Sequence, residues 1–199
     1  KSMVSEEMEL NHFLAENGIE ALESDLGEYI IQVDHELPSH IIMPAIHKNR
    51  EEISEVFQKK VAPAKKSDTA EEMTETARQV LRDKFRRAEL GISGVNFAVT
   101  ETGTLCLVEN EGNGRFCTTM PRVHIAVMGI EKVVGKLEDL PPLLTVLTRS
   151  ATGQPITTYF NMISSPRQEG EKDGPEEVHL VLLDNGRSRM YEDELLRDT

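Results

Sequence analysis

Apolar residues recur at intervals of three and four at the start of the chain: Met8, Leu10, Phe13 and Leu14 follow Ser5-Glu6-Glu7, and Asn17-Gly18 supplies a stop. That spacing predicts one capped amphipathic helix ending near Asn17. Ile19 to Ser24 reads as a short strand, and Asp25 then caps a short helix carrying Tyr29, Ile30 and Ile31. Ser39-His40-Ile41-Ile42-Met43-Pro44 is a continuous apolar run of strand length, and after His47-Lys48-Asn49 an amphipathic helix covers Arg50 to Lys60. Pro63 to Ser67 makes a polar connection. Asp68 caps a long helix with Met73, Ala77, Val80, Leu81 and Phe85 on one face, ended by Gly91.

Beyond Gly91 the period shortens. Val95 to Thr100 and Leu105 to Val108 predict two strands meeting at the turn Glu101-Thr102-Gly103-Thr104, and a second Gly-rich turn, Asn110-Glu111-Gly112-Asn113-Gly114-Arg115, follows. Val123 to Met128 reads as a strand and Lys136 to Ser150 as a helix with Pro141-Pro142 in its first turn. Tyr159 to Ile163 and Val178 to Leu183 are two further strands around the surface loop Pro166 to Pro175, and the charged tail from Tyr191 to Thr199 reads as helical. Strands alternating with helices predict one α/β domain over residues 1–199, with a mainly parallel sheet, helices on both faces and binding groups at the carboxyl ends of the strands.

Composition narrows the partners. The 199 residues carry 22 Lys and Arg against 35 Asp and Glu, a formal charge of −13, which repels phosphate backbones and anionic lipid. Nucleic acid and membrane insertion are therefore not expected. No apolar run approaches the roughly 20 residues that cross a bilayer, and Lys1 to Asn11 lacks the pattern of a signal peptide, so a cytoplasmic protein is expected. A chain beginning at Lys1 and running at once into helix-like sequence reads as a fragment.

The two Gly-rich turns are the first candidates for chemistry. Thr102, Gly103 and Thr104 in one, and Asn110, Gly112, Asn113 and Arg115 in the other, can present hydroxyls, amides and a guanidinium to a carboxylate or phosphate. Ordinary tight turns demand the same residue types, and neither segment matches a Walker loop or dinucleotide fingerprint. His47, just after an apolar run and beside Lys48, Asn49 and Arg50, stands where α/β proteins keep site residues, whereas His124 inside a strand reads as a packed core histidine. Glu6 and Glu7 are either charges favoured at a helix start or carboxylates facing the site. The six histidines show no metal-ligand spacing, and no nucleophile elbow or escorted cysteine appears, so no catalytic residue is assigned. Cys106 and Cys117 cannot supply the four thiolates of an iron–sulfur cluster, and Cys106 reads as a small buried hydrophobe.

Read together, several segments resemble the lactate-utilisation (LUD) domain of bacterial LutB-type iron–sulfur proteins. They are Lys1-Ser2-Met3-Val4-Ser5-Glu6-Glu7, Pro44-Ala45-Ile46-His47-Lys48, Gly91 to Ala98, Glu101-Thr102-Gly103-Thr104, Asn110 to Arg115 and Val123 to Lys132. Arg149 to Gln154 and Leu182-Leu183-Asp184-Asn185-Gly186-Arg187 continue the likeness in the same order. The resemblance implies a fold similar to the NagB/RpiA/CoA-transferase group and a place in a system that oxidises L-lactate to pyruvate, with the system's other subunits as partners. It implies that [4Fe–4S] clusters belong to a ferredoxin-like segment of the intact parent protein and that this segment holds none. It also implies that a first strand and the cluster segment lie outside this chain, and that the fragment alone is inactive. The alternative is a non-catalytic module gripping an acyl, sugar-phosphate or other small anion through the two turns.

Overall fold

The computed structural model describes residues 3–39, 43–62 and 69–197, which divide into two compact units. One comprises the described residues from 14 to 88 and is helical; the other comprises residues 3–13 and 89–197 and carries every strand among the described residues.

In the helical unit, α3 (Leu26–Asp34) begins as expected at Asp25, whose side chain accepts from the Glu28 N–H at 3.1 Å. It ends where His35 turns left-handed at φ 60°. The stretch Ile19 to Ser24 is no strand. Its backbone is tied instead by one side-chain amide, since Gln32 Nε2 donates to the Ala21 carbonyl at 2.8 Å and Gln32 Oε1 accepts from the Glu23 N–H at 2.9 Å. Residues 40–42 of the expected Ser39–Pro44 strand lie outside the described residues, and at its edges the Ser39 N–H donates to the Pro44 carbonyl. Helix α4 (Arg50–Val56) starts in a capping box of Asn49 and Glu52 and widens into a π turn over Phe57–Val61. Helix α5 (Ala70–Arg87) is capped by Thr69 with Glu72, while Asp68 lies outside the described residues. Ile30, Phe57, Met73 and Ala77 form the core of this unit, with Leu26, Ala45, Ile53 and Val61 packed around them.

The second unit opens with α1 (Met3–Glu7). The single helix expected through Asn17 is broken at Glu9, which sits at φ 51°, and resumes as α2 (Leu10–Glu16), whose last residues from Leu14 on count with the helical unit. Two sheets follow. Strands β1 (Leu90–Gly94), β4 (Val123–Gly129) and β7 (Glu177–Leu183) pair in parallel in the order β1-β4-β7. A mixed sheet orders β5 (Val133–Val134), β2 (Phe97–Val99), β3 (Thr104–Glu109) and β6 (Tyr159–Ile163), with β2–β3 and β3–β6 antiparallel and β2–β5 parallel. The α/β class with a mainly parallel sheet is therefore present, together with a second sheet that periodicity did not separate.

Gly91 does not end α5. It lies in β1, where a Cβ would overlap the Cys117 carbonyl of α6 (Asn113–Thr119), so the strand can approach that helix only with glycine there. The layers follow from alternation along the strands. Ala126 and Met128 of β4 meet Val95, Ala98 and Leu105, while the opposite face of the mixed sheet, Val99 and Cys106, packs on Leu140 and Leu144 of α7 (Leu140–Thr152). Pro141 and Pro142 occupy the first turn of α7, where missing N–H groups cost nothing. The tail forms only α8 (Arg187–Glu192) before breaking into turns.

Candidate functional site

The two Gly-rich turns do not build one pocket. Thr102 to Thr104 precedes β3 and Asn110 to Arg115 follows it, so six residues of strand, roughly 17 Å, separate them. At the first turn the hydroxyls satisfy one another: Thr102 Oγ1 donates to Thr104 Oγ1 at 2.8 Å, and Thr104 Oγ1 lies 3.0 Å from Ser164 Oγ. Gly103, at φ 66°, makes the turn and faces open space.

The second turn is not only a turn, because it launches α6. Gly112 is the N-terminal cap at φ 81°, and the helix donor at Arg115 N–H is taken by the protein's own Glu109 carboxylate at 3.1 and 3.0 Å. Glu109 is 8% exposed and accepts a further hydrogen bond from Asn161 Nδ2 at 2.8 Å. An external anion would find that backbone position occupied. The Arg115 side chain is different. Its guanidinium carbon lies 4.6 Å from the centroid of the Tyr159 ring, and among the described residues no carboxylate pairs with it. Asn110 is exposed and Asn113 half-buried beside it in sequence. The arrangement offers an exposed, ring-stacked guanidinium, which suits a planar carboxylate or a phosphate.

At the carboxyl ends of β4 and β7, where open parallel sheets receive ligands, the chain places a closed ion cluster. Arg187 forks onto Glu7, Nη2 to Oε1 at 2.9 Å and Nη1 to Oε2 at 3.1 Å, and its Nε meets Glu131 Oε2 at 2.5 Å. Asn185, left-handed at φ 44°, donates Nδ2 to Glu7 at 3.2 Å. The Arg187 hydrogen bonds, with help from Asn185, hold the Glu7 carboxyl below its ordinary range. So Glu7 ties the first helix to the sheet's end. Glu6, the neighbour expected at a site, is half-buried in α1, and its carbonyl accepts from the Glu9 N–H.

His47 lies in the helical unit and heads a chain of polar contacts. Its Nδ1 is 3.0 Å from Ser39 Oγ and its Nε2 2.9 Å from Glu36 Oε2. The other Glu36 oxygen accepts from Lys48 Nζ at 2.8 Å; Lys48 also reaches Asp34 Oδ2 at 2.5 Å, and Lys60 reaches Asp34 Oδ1 at 2.8 Å. Lys48 first and Lys60 second hold the Asp34 carboxyl far below the usual range, and Lys48 ahead of His47 lowers Glu36. Nothing in the sequence flags Ser39 or Glu36, eight and eleven positions from His47, because only the loop after α3 folds them back onto it.

The cysteines do not fit an inorganic cluster. Cys106 is fully buried in β3, where burial pushes its thiol up, and Cys117 lies on α6; neither forms a disulfide. Among the described residues no group of three or more His, Cys, Asp or Glu converges as metal ligands. Nor is any described helix long and apolar enough to cross a membrane.

Comparison with known proteins agrees with the order of motifs. The family model of the LUD domain matches residues 2–183. Lactate utilization protein B of Bacillus velezensis is 51% identical over 191 residues, and its namesake from Bacillus thuringiensis 54% over 190 residues. In each case the match covers 96% of this chain and 40% of the relative, so the chain spans about two-fifths of the length of these curated proteins. A crystal structure of a DUF162 family protein from Deinococcus radiodurans aligns over 50% of this chain and 56% of its own, at 23% identity and a TM-score of 0.37.

Proposed function

Because the chain belongs to the LUD domain family, we propose that it is the carrier domain of an electron-transfer protein in the oxidation of L-lactate to pyruvate. In this reading it grips a small carboxylate or a partner subunit, while electrons pass through clusters held elsewhere in the parent protein. The observation that carries the reading is the 51–54% identity to lactate utilization protein B along 96% of the chain. The residue we assign to the acid is Arg115, whose ring-stacked guanidinium is left unpaired by carboxylates among the described residues. Asn110, Gly112 and Asn113 are its neighbours in the same turn and are assigned to the same contact. The Thr102–Thr104 turn, His47 and Glu6 are not part of that contact.

The test has two arms. The intact parent protein, purified anaerobically, is expected to contain iron and sulfide and to pass electrons from lactate with its partner subunits; iron-free but active protein refutes the electron-transfer role. Calorimetry of this chain with L-lactate, pyruvate, coenzyme A and a sugar phosphate is expected to give a saturable response to the small acids. A response to the phosphate ligands alone would instead make it a general anion-binding module.

A further inference from the structure

Ser39, His47 and Glu36 stand in the order of a nucleophile, its base and the carboxylate that orients the base, and none of the three belongs to the Arg115 contact. Glu36 is held ionised by Lys48, and an ionised carboxylate only accepts hydrogen bonds, so His47 Nε2 must carry the proton directed at it. In the neutral ring the lone pair is then on Nδ1, 3.0 Å from Ser39 Oγ, which places the serine hydroxyl to donate into it. The frame is fixed by backbone on both sides. The left-handed His35 and the Glu36 N–H bonded to the Ile31 carbonyl set Glu36 at the end of α3, while the Ser39–Pro44 and Lys48–Ala45 backbone bonds set the other two. Lys48, with only 8% of its side chain exposed, buttresses the carboxylate from behind. The His47 and Glu36 side chains are 37% and 41% exposed, so solvent and small solutes reach the relay.

We propose that this relay activates Ser39 as a nucleophile toward activated acyl groups, esters or thioesters of small acids. Ser39 Oγ bonds to the acyl carbon as its proton passes to His47 Nδ1. The alcohol or thiol leaves with that proton, and a water deprotonated by the same nitrogen then releases the acid and restores the hydroxyl. Glu36 is a positioning residue: it fixes which ring nitrogen is the base.

The test is covalent capture. The whole chain is treated with a fluorophosphonate probe, which takes the place of the ester, loses fluoride and leaves a stable phosphonate on an activated serine. Peptide mass spectrometry is expected to place the label on Ser39, to find none there in Ser39→Ala, and to show labelling at least about 100-fold slower in His47→Gln, the usual weight of a general base. Nitrogen-15 spectra of the His47 ring are expected to show the Nε2–H tautomer in the native chain and a mixture in Glu36→Gln, a change that loss of structure alone would not mimic; unchanged circular dichroism confirms folding. No label at Ser39, or equal labelling of native protein and His47→Gln, overturns the proposal. Either result leaves the lactate reading untouched, since that rests on Arg115 and on the relatives.

Discussion

Lowering the pH should destabilise this protein through His124 before its carboxylates begin to take up protons. His124 sits in β4 with no exposed surface, its Nε2 2.8 Å from Ser93 Oγ and its Nδ1 without a hydrogen-bond partner. Burial pushes its pKa down from 6.5 to about 4. The unfolded chain therefore binds a proton near pH 6.5 that the native state refuses until about pH 4. The stability held by neutral His124 is complete above pH 6.5 and is lost as the pH falls toward 4. Each pKa unit corresponds to about 1.4 kcal/mol, so the full loss is about 3 kcal/mol, of which about 2 kcal/mol falls between pH 7 and 5. Urea unfolding at pH 7, 6 and 5 measures it, with His124→Gln as the control, since glutamine reaches Ser93 from a similar position but does not titrate. The native chain is expected to lose about 2 kcal/mol over that range and the variant only a few tenths. Parallel curves for the two proteins would refute the assignment of the slope to His124.

Three further expectations rest on separate contacts. Arg115→Ala should weaken binding of a small acid by about 1.5–3 kcal/mol, the worth of a hydrogen bond to a charged group, with little change in thermal midpoint; equal calorimetric titrations would return Arg115 to the ordinary surface. Gly91→Ala should cost about 2 kcal/mol or more in urea unfolding, because its Cβ meets the backbone carbonyl of Cys117, whereas Gly129→Ala meets the end of the Glu131 side chain, which can swing aside at the expense of its contact with Arg187, and should cost less. Asp34→Asn should lower stability at pH 7 by about 1–3 kcal/mol by leaving the enclosed Lys48 ammonium short of a partner. Because Lys48 and then Lys60 depress the Asp34 pKa, that stability is present above pH 3.8 and fades below it, so thermal melts of the two proteins should converge at low pH.

What the sequence disclosed and what it hid divide along physical lines. β4, β6 and β7 were legible because each is an apolar run bounded by turn residues. β1 was not, since Gly91, Ser93 and Gly94 dilute its hydrophobicity and the reason for Gly91 is a helix residue, Cys117, 26 positions further on. Asn113–Thr119 looked like a turn because it starts Asn-Gly-Arg; it becomes a helix through the Glu109 carboxylate that satisfies its first turn, a tertiary contact no local pattern reveals. The same holds for chemistry. His47 stood out by its place after an apolar run, but its partners Ser39 and Glu36 were invisible, and Glu7 and Arg187 meet across 180 positions.

The charge balance sets what an anion meets on its way to Arg115. A chain of net charge −13 offers most cations a carboxylate: Lys48 takes Asp34 and Glu36, Arg187 takes Glu7 and Glu131, and Arg122 takes Glu176 and Glu177. Arg115 instead lies over Tyr159, and Glu109, the acid its own backbone meets, spends its oxygens on the Arg115 N–H and on Asn161. An anion approaching Arg115 meets repulsion from the whole molecule and attraction from one group at contact distance. Salt at about 0.15 M screens exposed charges beyond roughly 8 Å, so it removes the long-range repulsion while weakening the contact less. The Arg115 titration should therefore hold or tighten as salt is added, the reverse of a protein that gathers anions through a broad basic surface. A steep loss of affinity with salt would mean that the acid is held by diffuse charge and that the ring-stacked guanidinium is not its anchor.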